Sequence, residues 1–151
     1  MDQDFLEVPY RSVAEYLFSL GGVSRFFQEV VDNQRIMGTR CAQCGKVYCP
    51  PRAHCCECYT DTEWVPLGNE GVVVSASLVT FAPRKDLVHK CVDLPYFLVT
   101  VRPDGCDGTL VNMVYVKDPV LGQVKPGMRV KAVFREKRDG HITDFYYVPI
   151  A

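Results

Sequence analysis

"CAQCGKVYCPPRAHCCEC" runs from Cys41 to Cys58 and holds six of the chain's eight cysteines. Inside it two C-x-x-C pairs, Cys41/Cys44 and Cys55/Cys58, stand ten residues apart. Each pair can fold as a tight turn that aims two thiols at one point. Gly45, directly after the first pair, supplies the left-handed backbone such a turn often needs. Two facing turns give four soft ligands in a tetrahedron, the arrangement of a closed, structural metal site. Protein then fills every position, so the spacing predicts an ion that holds shape and leaves no place for water or substrate. Zinc is the usual occupant, and iron fits the same four-thiolate cage. The competing readings are a disulfide pair or a redox C-x-x-C. A redox pair sits where a strand enters a helix, and no helical pattern follows either pair here.

Two further cysteines of the stretch, Cys49 and Cys56, fall outside the pairs, and Cys56 is expected to point away from the neighbouring sulfurs. His54 is a conceivable substitute ligand, but Cys55 to Cys58 repeats the spacing of Cys41 to Cys44. Cys91 and Cys106 stand alone and read as small buried or surface thiols.

On either side of the first pair, "RIMGTRC" and "KVYCPPR" read as strands, and "EWVPL" follows the second pair as a third. This is the plan of a zinc ribbon spanning residues 36–68. So small a unit has little core of its own, and the metal supplies much of its folding energy. Trp64 is expected to cover the metal site.

The lead, residues 1–35, reads as a helical segment. Ser12 and Glu15 form a capping box that predicts a helix over "RSVAEYLFSL", ended by Gly21-Gly22. In "VSRFFQEVVDNQR", Phe26/Val30 and Phe27/Val31 recur at i,i+4 and predict a second helix whose stripe is either core or a partner surface.

Beyond the ribbon, residues 69–151 change character. Five segments, 72–81, 95–103, 109–116, 125–136 and 138–150, are β-branched or alternating and are separated by turns such as "DGCDG" and Pro126-Gly127. Five strands with no helix between most of them predict an OB-fold, a small Greek-key barrel. The fold class is therefore mainly β with N-terminal helices, a rubredoxin-like ribbon followed by a five-stranded barrel. The longest connection, 82–94, carries Arg84, Lys85, His89 and Lys90 and reads as a solvated loop or a ligand contact.

A chain of 48% hydrophobic and 23% charged residues is neither disordered nor collagen-like. No apolar run is long enough to span a bilayer. The acidic start "MDQDFLEVPY" does not resemble a secretory signal, so a cytoplasmic location is expected, where clustered cysteines mean metal more often than disulfide. Seventeen basic and eighteen acidic residues leave a net charge of −1, which disfavours a nucleic-acid binder. That alternative would rest on Tyr96, Phe97, Tyr146 and Tyr147 as stacking rings on the barrel. None of the common hydrolase, zinc-protease, phosphate-loop or dinucleotide fingerprints is present. His89 and His141 read as surface residues. These grounds favour a binding or scaffold protein that is not an enzyme by itself.

Taken in order, "RCAQCGKVYCPPRAHCCEC", Trp64, "GVVVSASLVTF", "LPYFLVTV" and "KPGMRVKAVF" resemble the acyl-CoA-associated zinc-ribbon/OB-fold family. The likeness covers roughly residues 12 to 150. Family patterns carry an aromatic residue before Pro-Pro, where this chain has Cys49. The resemblance implies an accessory subunit that lacks the nucleophile and assembles with a thiolase-like chain, two of each, around a coenzyme A thioester. It implies Cys41, Cys44, Cys55 and Cys58 as zinc ligands and no catalytic residue. One family use is a thiolase for aromatic acyl-CoAs in anaerobic toluene degradation. Coenzyme A phosphates call for facing basic residues, for which Arg84, Lys85 and Arg52 are the candidates.

Overall fold

A computed structural model describes residues 8–14, 16–17, 19–81 and 93–150. Between 8 and 20 none of the described residues joins a helix. The described residues of the first expected helix are therefore not helical, and Glu15 of its capping box lies outside them. Among its described residues Val13, Tyr16 and Leu17 are all more than 70% exposed, as is Tyr10 just before it. A helix this short is marginal in water without a tertiary surface.

The second helix does form. After a 3-10 turn at Gly21–Val23, α1 spans Ser24–Asn33. Phe26 and Val30 of its stripe are buried, while Phe27 and Val31 are half-buried. The stripe is thus largely core. α1 ends as Gln34 turns left-handed at φ 50°. Arg138 Nε donates to the Val31 carbonyl at 3.0 Å, fastening the end of α1 to the barrel.

Three strands, β1 (Met37–Cys41), β2 (Val47–Tyr48) and β3 (Thr62–Pro66), form a sheet in the order β2-β1-β3. Both cysteine turns hang from it. β4 (Glu70–Val79), β5 (Tyr96–Pro103), β6 (Leu110–Val114), β7 (Arg129–Phe134) and β8 (Phe145–Pro149) then close a barrel in the order β4-β5-β6-β8-β7. All its pairings are antiparallel except β6 with β8, the OB-fold arrangement. A bulge between Val73 and Ser75 bends the long β4, so it pairs with β7 at its start and with β5 along its length. Alternation points Phe97, Val99 and Val101 inward to meet Val114, Val130, Phe145 and Tyr147.

Ribbon and barrel share one core, because Ile36, Met37, Val47 and Cys49 pack in the same cluster as the barrel residues. The turn joining β5 to β6 also grips β2. Val47 N–H donates to Asp107 Oδ2 at 2.8 Å, and Asp107 N–H donates to the Val47 carbonyl at 3.0 Å. Gly108 allows this approach: a Cβ there would lie 2.7 Å from the Cys49 carbonyl oxygen.

A candidate metal centre and the cleft beside it

The two cysteine turns are copies of one another, offset by fourteen residues. Cys41 N–H donates to the Lys46 carbonyl and Gly45 N–H to the Cys41 carbonyl, at 2.9 and 3.0 Å. In the second turn Cys55 N–H donates to the Thr60 carbonyl and Tyr59 N–H to the Cys55 carbonyl, at 2.9 and 3.1 Å. The left-handed position is Gly45 in the first turn, φ 75°, and Tyr59 in the second, φ 57°. A glycine takes that conformation freely and a tyrosine at a cost.

These turns bring Cys41, Cys44, Cys55 and Cys58 together, with all four sulfurs within 4.8 Å of one another. A tetrahedral ion with metal–sulfur bonds of about 2.3 Å sets its ligand sulfurs about 3.8 Å apart. Cys44 Sγ lies 3.7 Å from Cys55 Sγ. Backbone N–H groups support the sulfurs, Cys44 N–H reaching Cys41 Sγ at 3.5 Å and Cys58 N–H reaching Cys55 Sγ at 3.4 Å. The donor set and its spacing therefore fit a divalent, thiophilic ion.

Two hydroxyls complete the setting, and neither was legible in the cysteine spacing. Tyr48 Oη lies 3.1 Å from Cys55 Sγ, and Thr60 Oγ1 lies 3.4 Å from Cys41 Sγ. The Tyr48 hydroxyl, helped by the Cys58 and Glu57 backbone amides, pulls the Cys55 thiol down to about 6. Thr60 and the Cys44 amide lower Cys41. Burial, reinforced by the neighbouring sulfurs, pushes Cys58 up to about 12. Four thiolates this close repel one another, and a bound cation offsets that repulsion.

Trp64 does not cover this cage, as the sequence led us to expect. It packs against the main core, while Tyr48 joins Cys41 and Cys55. The reason is register: Trp64 pairs with Thr39 in the middle of the sheet, two residues before the first cysteine. His54 is not part of the cage. Its Nδ1 lies 2.8 Å from Asp61 Oδ1, and the two residues form a backbone bridge. Cys56 is exposed, yet its sulfur stands 3.4 Å from Tyr48 Oη, so it does not point wholly away. Cys49 and Cys106 are buried at the ribbon–barrel junction, and burial pushes Cys49 up to about 12. Cys91, Arg84, Lys85, His89 and Lys90 lie outside the described residues.

Arg52 stands next to the cage. Its guanidinium lies 5.6 Å over the Tyr48 ring. It also lines a cleft of about 620 Å³ between the 20–23 turn and the ribbon, whose opposite wall includes Trp64. Of the four rings the nucleic-acid reading needs, Phe97 and Tyr147 are buried in the barrel and cannot stack on a base. Alternation along β5 and β8 turns them inward, leaving Tyr96 and Tyr146 half-buried.

Two family models match in tandem: the rubredoxin-like zinc ribbon domain of ChsH2 over residues 29–63 and the C-terminal OB-fold domain of ChsH2 over residues 64–135. The chain belongs to the ChsH2-type zinc-ribbon and OB-fold family, also called DUF35. A DUF35 domain-containing scaffold protein of Methanocaldococcus jannaschii is 33% identical over 129 residues, covering 83% of this chain and 86% of the relative. Among solved structures, the Ltp2-ChsH2(DUF35) aldolase superposes with a TM-score of 0.65 at 22% identity, covering 88% of this chain and 97% of that one. A DUF35 protein of unknown function from Sulfolobus solfataricus gives 0.61 at 21% identity, covering 86% and 87%. At these identities the structural likeness speaks to the fold alone. No described helix is long and apolar enough to cross a membrane.

Proposed function

We propose that this chain is a non-catalytic accessory subunit of a thiolase-like acyl-CoA enzyme complex. Cys41, Cys44, Cys55 and Cys58 hold a structural zinc ion, and the partner chain supplies the nucleophile and bases. The observation that carries the reading is the closed cage within a full ribbon-plus-barrel family match. Four protein sulfurs leave the ion no open coordination position, so it shapes a lobe and activates nothing. The names of two relatives, a scaffold protein and an aldolase with an Ltp2 component, support a role in assembly. The exposed apolar residues Tyr10, Val13, Tyr16 and Leu17 are the surface offered to the partner. Arg52, Arg84 and Lys85 are the residues assigned to the coenzyme A thioester, and aromatic acyl thioesters of the benzoylsuccinyl-CoA type are the substrate class. The assembly contains two copies of each chain and works in the cytoplasm.

The test is capture of the tagged chain from its native extract, followed by mass spectrometry and native mass measurement. A thiolase-like chain in equal amount, in a particle of two plus two, is the expected result. A thiolase-like chain that is soluble and fully active without this one would overturn the reading.

A further inference from the structure

We propose that the cleft between the 20–23 turn and the ribbon binds a small amphipathic anion, one carboxylate or phosphate group on an apolar body, with Arg52 as its anchor. This deepens the reading above, because it assigns Arg52 to the acyl end of the thioester and not to its nucleotide end. Leu20, Val23, Pro51 and Trp64 give the cleft apolar walls. The Arg52 backbone is fixed before any ligand arrives. Its N–H donates to Thr39 Oγ1 at 2.9 Å, and its carbonyl accepts from Thr39 Oγ1 at 3.0 Å and from Thr62 Oγ1. Its guanidinium rests on the Tyr48 ring and has no ion-pair partner among the described residues. The carboxylate in the cleft wall, Asp61, is already engaged by His54. A second guanidinium, Arg25, lies 5.4 Å over the Trp64 ring.

A planar guanidinium in an apolar cleft matches the two oxygens of one carboxylate or phosphate. The Arg52 side chain is exposed, and its rest on the Tyr48 ring limits the freedom it loses on binding. A nucleotide end with several phosphate charges suits the cleft poorly, since one guanidinium lines it and Asp61 stands in the wall.

Trp64 is the chain's only tryptophan and lines the cleft, so its emission reports on occupancy directly. The zinc-loaded full chain is titrated with octanoate, octyl phosphate, the neutral octanamide and adenosine 3′,5′-bisphosphate. Saturable change with octanoate or octyl phosphate but not octanamide is expected, and the tighter of the two names the anion. Arg52→Gln should weaken binding about tenfold or more. Ala53→Leu, which keeps the charge and narrows the cleft, should weaken it as well, with both variants retaining the parent melting temperature. Equal binding of octanamide, tighter binding of the bisphosphate, or no saturable change overturns the proposal. Partner capture by a chain that binds no octanoate would leave the accessory role standing, and octanoate binding without partner capture would leave the cleft standing.

Discussion

The ribbon and the barrel hold their shapes by opposite means. The barrel closes on itself and buries Phe97, Val99, Val101, Val130, Phe145 and Tyr147 almost completely. The ribbon has three short strands, and around its tip only Cys41, Tyr48 and Cys55 are buried together. Hydrophobic burial scales with apolar area, so the barrel can stand on its side chains, whereas the ribbon tip depends on what its sulfurs bind. The lobe closest to the candidate chemistry is therefore the one least able to hold itself.

The contrast breaks first at the metal. Stripping it with a chelator, or replacing Cys41 and Cys55 with serine, should abolish amide-exchange protection in the two cysteine turns, 41–46 and 55–60, while β5 to β8 keep theirs. Loss of protection in both regions together would mean that the barrel, too, leans on the cage. The converse substitution is Phe145→Ala, which removes a fully buried ring at a cost of about 3–5 kcal/mol. It should lower the melting temperature of the whole chain yet leave the metal content of folded protein unchanged.

The next effect lies in the hydroxyl beside Cys55. Because the folded thiol is held down near 6, the stabilisation of its thiolate is in place above the ordinary thiol range and disappears as pH falls through about 6. A bound cation holds the thiolate further down, so release of metal on acidification should begin below that pH. Tyr48→Phe should move that onset to higher pH and weaken retention against a competing chelator by about 10–100-fold, with barrel melting unaltered. An unchanged release curve would remove Tyr48 from the account. The smallest effect is Tyr59→Gly at the left-handed position of the second turn. Relief of its backbone strain should stabilise the ribbon by about 0.5–1 kcal/mol, read as slower metal loss.

What could be read in advance follows the same division. The four cysteines announce themselves because thiolate geometry forces a fixed local spacing. Barrel strands such as "PYFLVTVRP" and "KPGMRVKAVFRE" show the alternation that a half-buried sheet demands. "RSVAEYLFSL" carries a start signal, but its described apolar residues Val13, Tyr16 and Leu17 lie exposed, and local signals do not report missing partners. Trp64 was misplaced for a related reason. Its neighbours are set by strand pairing with β1, which adjacency to the cysteines does not reveal. Tyr48 and Thr60 reach the sulfurs only once both turns face each other. Arg52 was visible as a charge near the ribbon, whereas the cleft that gives it a use needs the 20–23 turn folded across it.

X-ray absorption at the metal edge of the purified, metal-loaded chain tests the central claim most directly. Four sulfur neighbours at about 2.3 Å and no oxygen or nitrogen neighbour are predicted. An oxygen neighbour would mean an open, reactive ion and would contradict an ion that only holds shape, whereas a nitrogen neighbour would mean that a histidine has replaced one of the four cysteines.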